Sequence, residues 1–128
     1  MALDQGLLSL IKFDHGTVLD TGPIPPGHWA HLPEAPGVEK DPERARALLR
    51  QALGNETLSL SLKVGSAFPY QVSAAQVVKQ QLAKVGVEVT VQAMESGIFF
   101  DSLHQGDFEL TLVGWLGFVD PDEWLFNI

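Results

Sequence analysis

The sequence contains no cysteine, few basic residues and no long apolar run, and each absence excludes a class of protein. Without cysteine the chain has no disulfide, no catalytic thiolate and no cysteine-ligated metal. Only 8 lysines and arginines stand against 16 acidic residues, and the net charge of -8 argues against nucleic acid or an anionic membrane as partner. No stretch approaches the roughly 18 apolar residues of a membrane span.

Familiar catalytic and nucleotide-binding motifs are also missing. The sequence has no GxSxG, HExxH, P-loop or GxGxxG pattern. The four histidines are scattered, and His28 and His31 adjoin a proline-rich segment that cannot place them on one helix face. We therefore expect a protein that is not an enzyme, with no cofactor and no metal site.

Alternating strand and helix patterns fill the second half of the chain. Three runs alternate apolar and polar side chains and are separated by two stretches of helical periodicity, in the order 58–64, 69–85, 87–93, a short stretch from a capping Ser96, and 108–113. We predict an α/β fold with a β-α-β-α-β core, parallel strands and right-handed crossovers. Since each strand has one apolar face, we expect a one-sided sheet, its other face open or covered by protein outside this chain.

The first half of the chain is predicted to surround this core. A short N-terminal helical stripe precedes TGPIPPGHW (residues 21–29), which we call the strap. Its prolines predict an extended, polyproline-like segment, with Trp29 inserted into an apolar seat. Asp41 and Pro42 open the best-defined helix, and Gly54 closes it. The whole chain, residues 1–128, is interpreted as one α/β lobe.

The loop after the third strand is the predicted ligand site. In open α/β sheets, ligands bind outside the carboxyl ends of the strands, and the third strand runs into the segment that we call the 114–120 loop. Its glycines allow close backbone approach, its aromatic residues offer apolar walls and its acid offers charge. The predicted ligand-binding residues are Gly114, Trp115, Leu116, Gly117, Phe118 and Asp120.

A structural interpretation competes at the end of this loop. Asp120, Pro121 and Glu123 match the pattern of a helix start, with an N-cap, a proline at the first turn and an acid three residues after the cap. The same Asp-Pro-Glu opening occurs in the helix that starts after Asp41.

Several segments, in order, resemble the extracytoplasmic solute-binding proteins of ABC transporters, in the peptide/dipeptide/nickel-binding branch (family 5). They are GPIPPGHW, DPERARALLRQALG, AAQVVKQQLAKVGVEVTVQ, GDFELTLVGW and DPDEWL. The resemblance implies the type II periplasmic-binding-protein fold of two hinged lobes, with this chain as part of the second lobe. It also implies a receptor that captures peptides or a similar small solute and delivers it to ABC permease subunits.

The resemblance carries further expectations. In peptide-binding members an acid shortly after Gly-Trp pairs with the ligand's amino terminus; Phe118 stands there in this chain, so either Asp120 replaces the acid or the solute has no ammonium group. The parent protein would be periplasmic, with a first lobe and a signal peptide outside this chain. A lone lobe is expected to bind solute weakly at most and to self-associate through exposed apolar surface.

Two alternatives of other classes stay open at this point. Asp120, Asp122 and a histidine would suit a divalent metal in a small acidic α/β hydrolase. The chain would otherwise be a stand-alone protein-interaction domain whose exposed sheet face pairs with a partner.

Overall fold

Three parallel strands and five helices make up the computed structural model, which describes residues 2–11, 15–19, 21–37, 39–114 and 119–125. Their order is α1 (Gln5–Leu10), α2 (Pro42–Leu53), β1 (Leu58–Gly65), α3 (Pro69–Ala83), β2 (Val87–Met94), α4 (Ser96–His104), β3 (Leu110–Leu112) and α5 (Pro121–Leu125). The predicted α/β fold and its β-α-β-α-β core are confirmed. No described helix combines the length and the apolar character that a membrane crossing needs.

β1 is the central strand, in the order β2-β1-β3. It pairs in parallel with β2 along its whole length, from Leu58 opposite Val87 to Gly65 opposite Met94. Its pairing with β3 covers only three residues. β3 is shorter than the predicted 108–113 because the Glu109 carboxylate takes the Ser61 backbone N–H, at 2.6 Å, in place of a backbone partner.

One face of the sheet is apolar and packs under α2 and α3. Leu62 and Val64 of β1 are almost completely buried there, against Ala75 and Val78 of α3 and Ala45 of α2. The strict alternation of β1 places all of its valines and leucines on this side. Apolar residues from α1, β2 and β3 complete the same core.

The other face of the sheet is polar and is partly covered by α4. The Lys63 ammonium donates to the Ser102 hydroxyl of α4 at 3.1 Å, and it also bonds Asp107. Phe99 of α4 is 1% exposed and approaches Gly65 at the end of β1. α3 and α4 therefore cover opposite faces, as right-handed crossovers require for this strand order.

The helix caps follow the sequence, with one correction. Asp41 caps α2 by accepting from the Arg44 N–H at 2.9 Å, and Gly54 ends the helix at φ +65°. The predicted cap of α4, Ser96, is wrong because Ser96 is already helical. Glu95 takes the capping position with extended backbone, and its carboxylate accepts from the Gly97 N–H at 2.8 Å.

The structure of the strap differs from both predictions made for it, an extended segment and an inserted Trp29. It is not extended throughout, since the His28 N–H bonds the Pro25 carbonyl at 3.2 Å and the His31 N–H bonds the His28 carbonyl at 3.0 Å. Gly27 at φ +90° makes this turn accessible, because only glycine adopts such an angle without strain. Trp29 is not inserted into an apolar pocket, because 75% of its surface is exposed.

Candidate functional site

The carboxyl ends of the three strands meet at one edge of the sheet, which we call the carboxyl edge. The strands are parallel, so Gly65, Met94 and Leu112 all end on the same side. In open sheets whose order begins 2-1-3, ligands bind outside the carboxyl ends of the first and third strands. Gly114 lies two residues beyond β3, and α3 begins four residues beyond β1. The structure thus places Gly114, at the start of the 114–120 loop, beside this edge of the sheet.

Gly114 lies against the first turn of α3. A Cβ atom built on Gly114 would lie 3.2 Å from the Tyr70 hydroxyl oxygen and 3.5 Å from Gln71 Nε2. A side chain at position 114 would therefore require the Tyr70 hydroxyl to shift by a few tenths of an ångström, whereas the distance to Gln71 Nε2 is an ordinary van der Waals contact.

Gln71 is the most unusual of these side chains. It is only 5% exposed, and its Nε2 lies 3.4 Å from the Tyr70 hydroxyl. Its Oε1 atom is buried and has no hydrogen-bond partner within the part of the chain that the structure describes. A buried acceptor without a donor is unfavourable, so this position calls for an N–H or O–H group.

Sequence reasoning missed Tyr70 and Gln71. The signal that could have found them is their place in the chain, in the helix start that follows a parallel strand at the carboxyl edge. α3 buries two glutamines, Gln71 and Gln81, so a glutamine at a buried helix position does not by itself single out Gln71.

Asp120 caps α5. The Asp122 N–H donates to Asp120 Oδ1 at 3.0 Å, and the Glu123 N–H donates to the Asp120 carbonyl at 3.2 Å. The predicted N-cap at Asp120 and the helix start at Pro121 are therefore confirmed, while the capping-box role of Glu123 stays a prediction. Asp120 is also exposed, so the capping role orients the carboxylate without removing it from solvent. The other predicted residues, Trp115, Leu116, Gly117 and Phe118, lie outside the described residues.

The carboxyl edge is acidic. No lysine or arginine occurs in 65–71, 94–98 or 113–125, whereas these segments hold Glu95, Asp120, Asp122 and Glu123. The nearest basic residue along β1 is Lys63, whose ammonium already bonds Ser102 and Asp107. Such an edge favours solutes that present positive charge or hydrogen-bond donors over anionic solutes. Among the described residues, no three histidine, aspartate or glutamate side chains are grouped to hold a metal ion.

A concave surface lies at the opposite edge of the sheet. This cavity of about 480 Å³ is lined almost entirely by apolar side chains between α2 and the first residues of the strands, including Leu48, Leu58 and Leu110. It has no polar group with which to orient a solute. The expectation that exposed apolar surface makes the chain self-associate stays a prediction.

Comparison with known proteins identifies the family. Residues 2–128 match the family described as bacterial extracellular solute-binding proteins, family 5 Middle. The chain belongs to this family. The resemblance seen in the sequence motifs is confirmed, and so is the type II periplasmic-binding-protein fold of this family 5 chain.

The relatives carry names that refer to peptide binding. Di/tripeptide-binding protein 4 of Pseudomonas aeruginosa (strain UCBPP-PA14) is 36% identical over 109 residues, which are 81% of this chain and 20% of that protein. The periplasmic binding protein DppA from Helicobacter pylori, associated with an ABC transporter and solved in complex with the peptide STSA, superposes with a TM-score of 0.86 at 23% identity. That match covers 99% of this chain and 25% of the solved one.

Several similar structures hold ligands that are not named as peptides. The binding protein AgaA from Agrobacterium tumefaciens R10, solved in complex with agropinic acid, has a TM-score of 0.82 and 25% identity, and the match covers 97% of this chain and 26% of that chain. The family 5 chain thus spans about a fifth to a quarter of the length of the relatives that it matches.

Proposed function

We propose that this family 5 chain is part of the second lobe of an ABC importer's solute-binding receptor, and that its carboxyl edge faces the solute. The observation that carries the proposal is the family match over residues 2–128, combined with the polar, acidic edge around Gly114. The receptor would act outside the cytoplasm, would deliver solute to permease subunits and would catalyse no reaction.

We propose a short peptide with a free amino terminus as the solute class. The name of the Pseudomonas relative supports peptides, and the acidic edge supports a solute that carries an ammonium group. Asp120 is the proposed partner of that group, in place of the acid that Phe118 replaces. Gly114 would allow the peptide backbone to approach closely. Trp115, Leu116, Gly117 and Phe118 belong to the proposed site on the sequence argument alone.

The test is a titration of the 128-residue chain with the dipeptide Ala-Ala, followed by amide chemical shifts in NMR. One lobe supplies only part of the burial of such a site, so we expect a Kd in the millimolar range, about -4 kcal/mol. The shift changes should be confined to residues near Gly114 and Asp120. Shift changes elsewhere, or none at 10 mM peptide, would contradict the assignment of the site. Micromolar affinity would contradict the need for a second lobe.

Asp120→Asn separates the two roles of this side chain. Asparagine caps a helix about as well as aspartate, so the stability of α5 should not change. Loss of the charge removes a charge-assisted hydrogen bond, and the affinity for Ala-Ala should fall by about tenfold or more. N-acetyl-Ala-Ala is the matched control peptide, since it has no ammonium group and should bind wild type and variant equally. Metal in stoichiometric amount that is lost in Asp120→Ala would instead favour the hydrolase alternative.

A further inference from the structure

The strap and the 114–120 loop are joined by side-chain hydrogen bonds. The Trp29 indole Nε1 donates to the Val119 carbonyl oxygen at 3.2 Å. His28 Nε2 lies 3.1 Å from the same oxygen. These contacts connect residues 90 and 91 positions apart in the sequence, and Val119 immediately precedes Asp120.

The hydrogen bonds around His28 define its tautomer. The Ala30 backbone N–H donates to His28 Nδ1 at 3.2 Å, so Nδ1 is an acceptor and carries no proton. The proton of the neutral ring is then on Nε2, which donates to the Val119 carbonyl. The two lone pairs of that carbonyl oxygen thus receive two donors from adjacent strap residues.

The strap itself is internally fixed. The His28 N–H closes a turn on the Pro25 carbonyl at 3.2 Å, and His31 Nδ1 lies 2.8 Å from the Ile24 carbonyl oxygen. Proline at positions 23, 25 and 26 restricts φ and lowers the entropy that the unfolded segment would lose. Both donors to Val119 therefore come from a rigid part of the chain.

We infer that His28 and Trp29 are positioning residues for the solute, acting through Val119. They hold its carbonyl and thereby fix where α5 starts, and the α5 start orients the Asp120 carboxylate through the Asp122 N–H. This inference rests on the proposed function, and it gives the strap a part in solute binding that its composition alone does not indicate. The exposed ring of Trp29 fits this role, because its N–H reaches Val119 while the ring contributes little to the core.

The test needs no solute. In the 128-residue chain, amide hydrogen exchange and 15N relaxation at Asp122 and Glu123, whose N–H groups bond Asp120, are compared between wild type, His28→Leu and Trp29→Phe. Leucine removes both polar atoms of His28, and phenylalanine keeps an aromatic ring while removing the donor. We expect exchange at these two amides to rise by about threefold to tenfold in each variant, from the loss of one hydrogen bond. The thermal midpoint and the amides of β1 and β2 should not change.

Two further variants make the test specific. His28→Gln keeps an N–H donor and a carbonyl acceptor, so it should restore slow exchange. His104→Leu, at an exposed histidine in the last turn of α4, is the matched control and should leave the Asp122 and Glu123 amides unaffected. Unchanged exchange at Asp122 and Glu123 in both His28→Leu and Trp29→Phe would overturn the inference. Because no peptide is present, this result is independent of whether Ala-Ala binds.

Discussion

The two faces of β1 are stabilised by different interactions. Leu62 and Val64 point to one face, where they are buried against apolar side chains of α2 and α3 and are stabilised by removal of apolar surface from water. Ser61 and Lys63 point to the other face and are fixed by a few polar contacts, Ser61 to Glu109 and Lys63 to Asp107 and Ser102. Apolar burial is strong but has little directional preference, whereas the polar contacts specify which residues of the α4–β3 segment lie beside β1. The face that contributes most to stability is therefore not the face whose polar contacts specify the neighbours of β1.

The largest effect is expected on the apolar face. Leu62 is 1% exposed, and Leu62→Ala removes buried methyl groups and leaves a cavity, so the free energy of unfolding should fall by about 2–5 kcal/mol. Urea denaturation measures the change. Leu32→Ala is the matched control, because Leu32 is 64% exposed and its truncation should cost no more than about 0.5 kcal/mol. Equal losses at the two leucines would contradict the packing described here.

A smaller effect is expected on the polar face. Lys63→Met keeps the length of the side chain and removes the ammonium that bonds Ser102 and Asp107. The Asp107 side chain is 75% exposed and is rehydrated easily, so the loss should be about 1–2 kcal/mol. Lys79→Met makes the same charge change at an exposed position of α3 and should be neutral within about 0.5 kcal/mol. Lys63→Met should also speed amide exchange in β3 while leaving β2 unchanged.

The smallest effect is expected in the pH dependence of stability, through Glu109 on the same polar face. The Ser61 backbone N–H, and then its hydroxyl, hold the pKa of Glu109 below its ordinary value. A carboxyl whose folded pKa is depressed stabilises the fold above its unfolded pKa of about 4.3, and this stabilisation is lost as pH falls through the folded pKa. The difference in urea midpoint between wild type and Glu109→Gln should therefore be present at neutral pH and should vanish in acid. In Ser61→Ala the lowering of the Glu109 pKa should be smaller but still present, because the backbone N–H remains. A difference in urea midpoint between wild type and Glu109→Gln that does not change with pH would contradict this assignment.

The sequence predicted the regular elements well because their signals are local. A period of two in 58–64 and a period near 3.6 in the following helix depend only on which faces are buried, and both elements form as expected. The start of β3 was less predictable, because the Glu109 side chain replaces a backbone partner across the sheet.

The candidate site was only partly predictable, for a related reason. Gly114 could be placed at the carboxyl edge because it follows a strand. Tyr70 and Gln71 could not be associated with it until the order β2-β1-β3 was known. The exposed Trp29 was mispredicted because a tryptophan beside prolines gives no indication of a distant carbonyl such as that of Val119.

The brevity of β3 has a thermodynamic consequence for whatever the 114–120 loop binds. Only three residues pair β3 with β1, so this strand is expected to separate from the sheet at a lower free energy than β2 does. A solute that binds the loop only when β3 is paired must lower the population of the open strand. By linkage, any change that favours strand opening weakens binding by the same factor. The stability of this three-residue pairing would thus influence the affinity for solute, and substitutions in β3 that do not contact the solute would change that affinity.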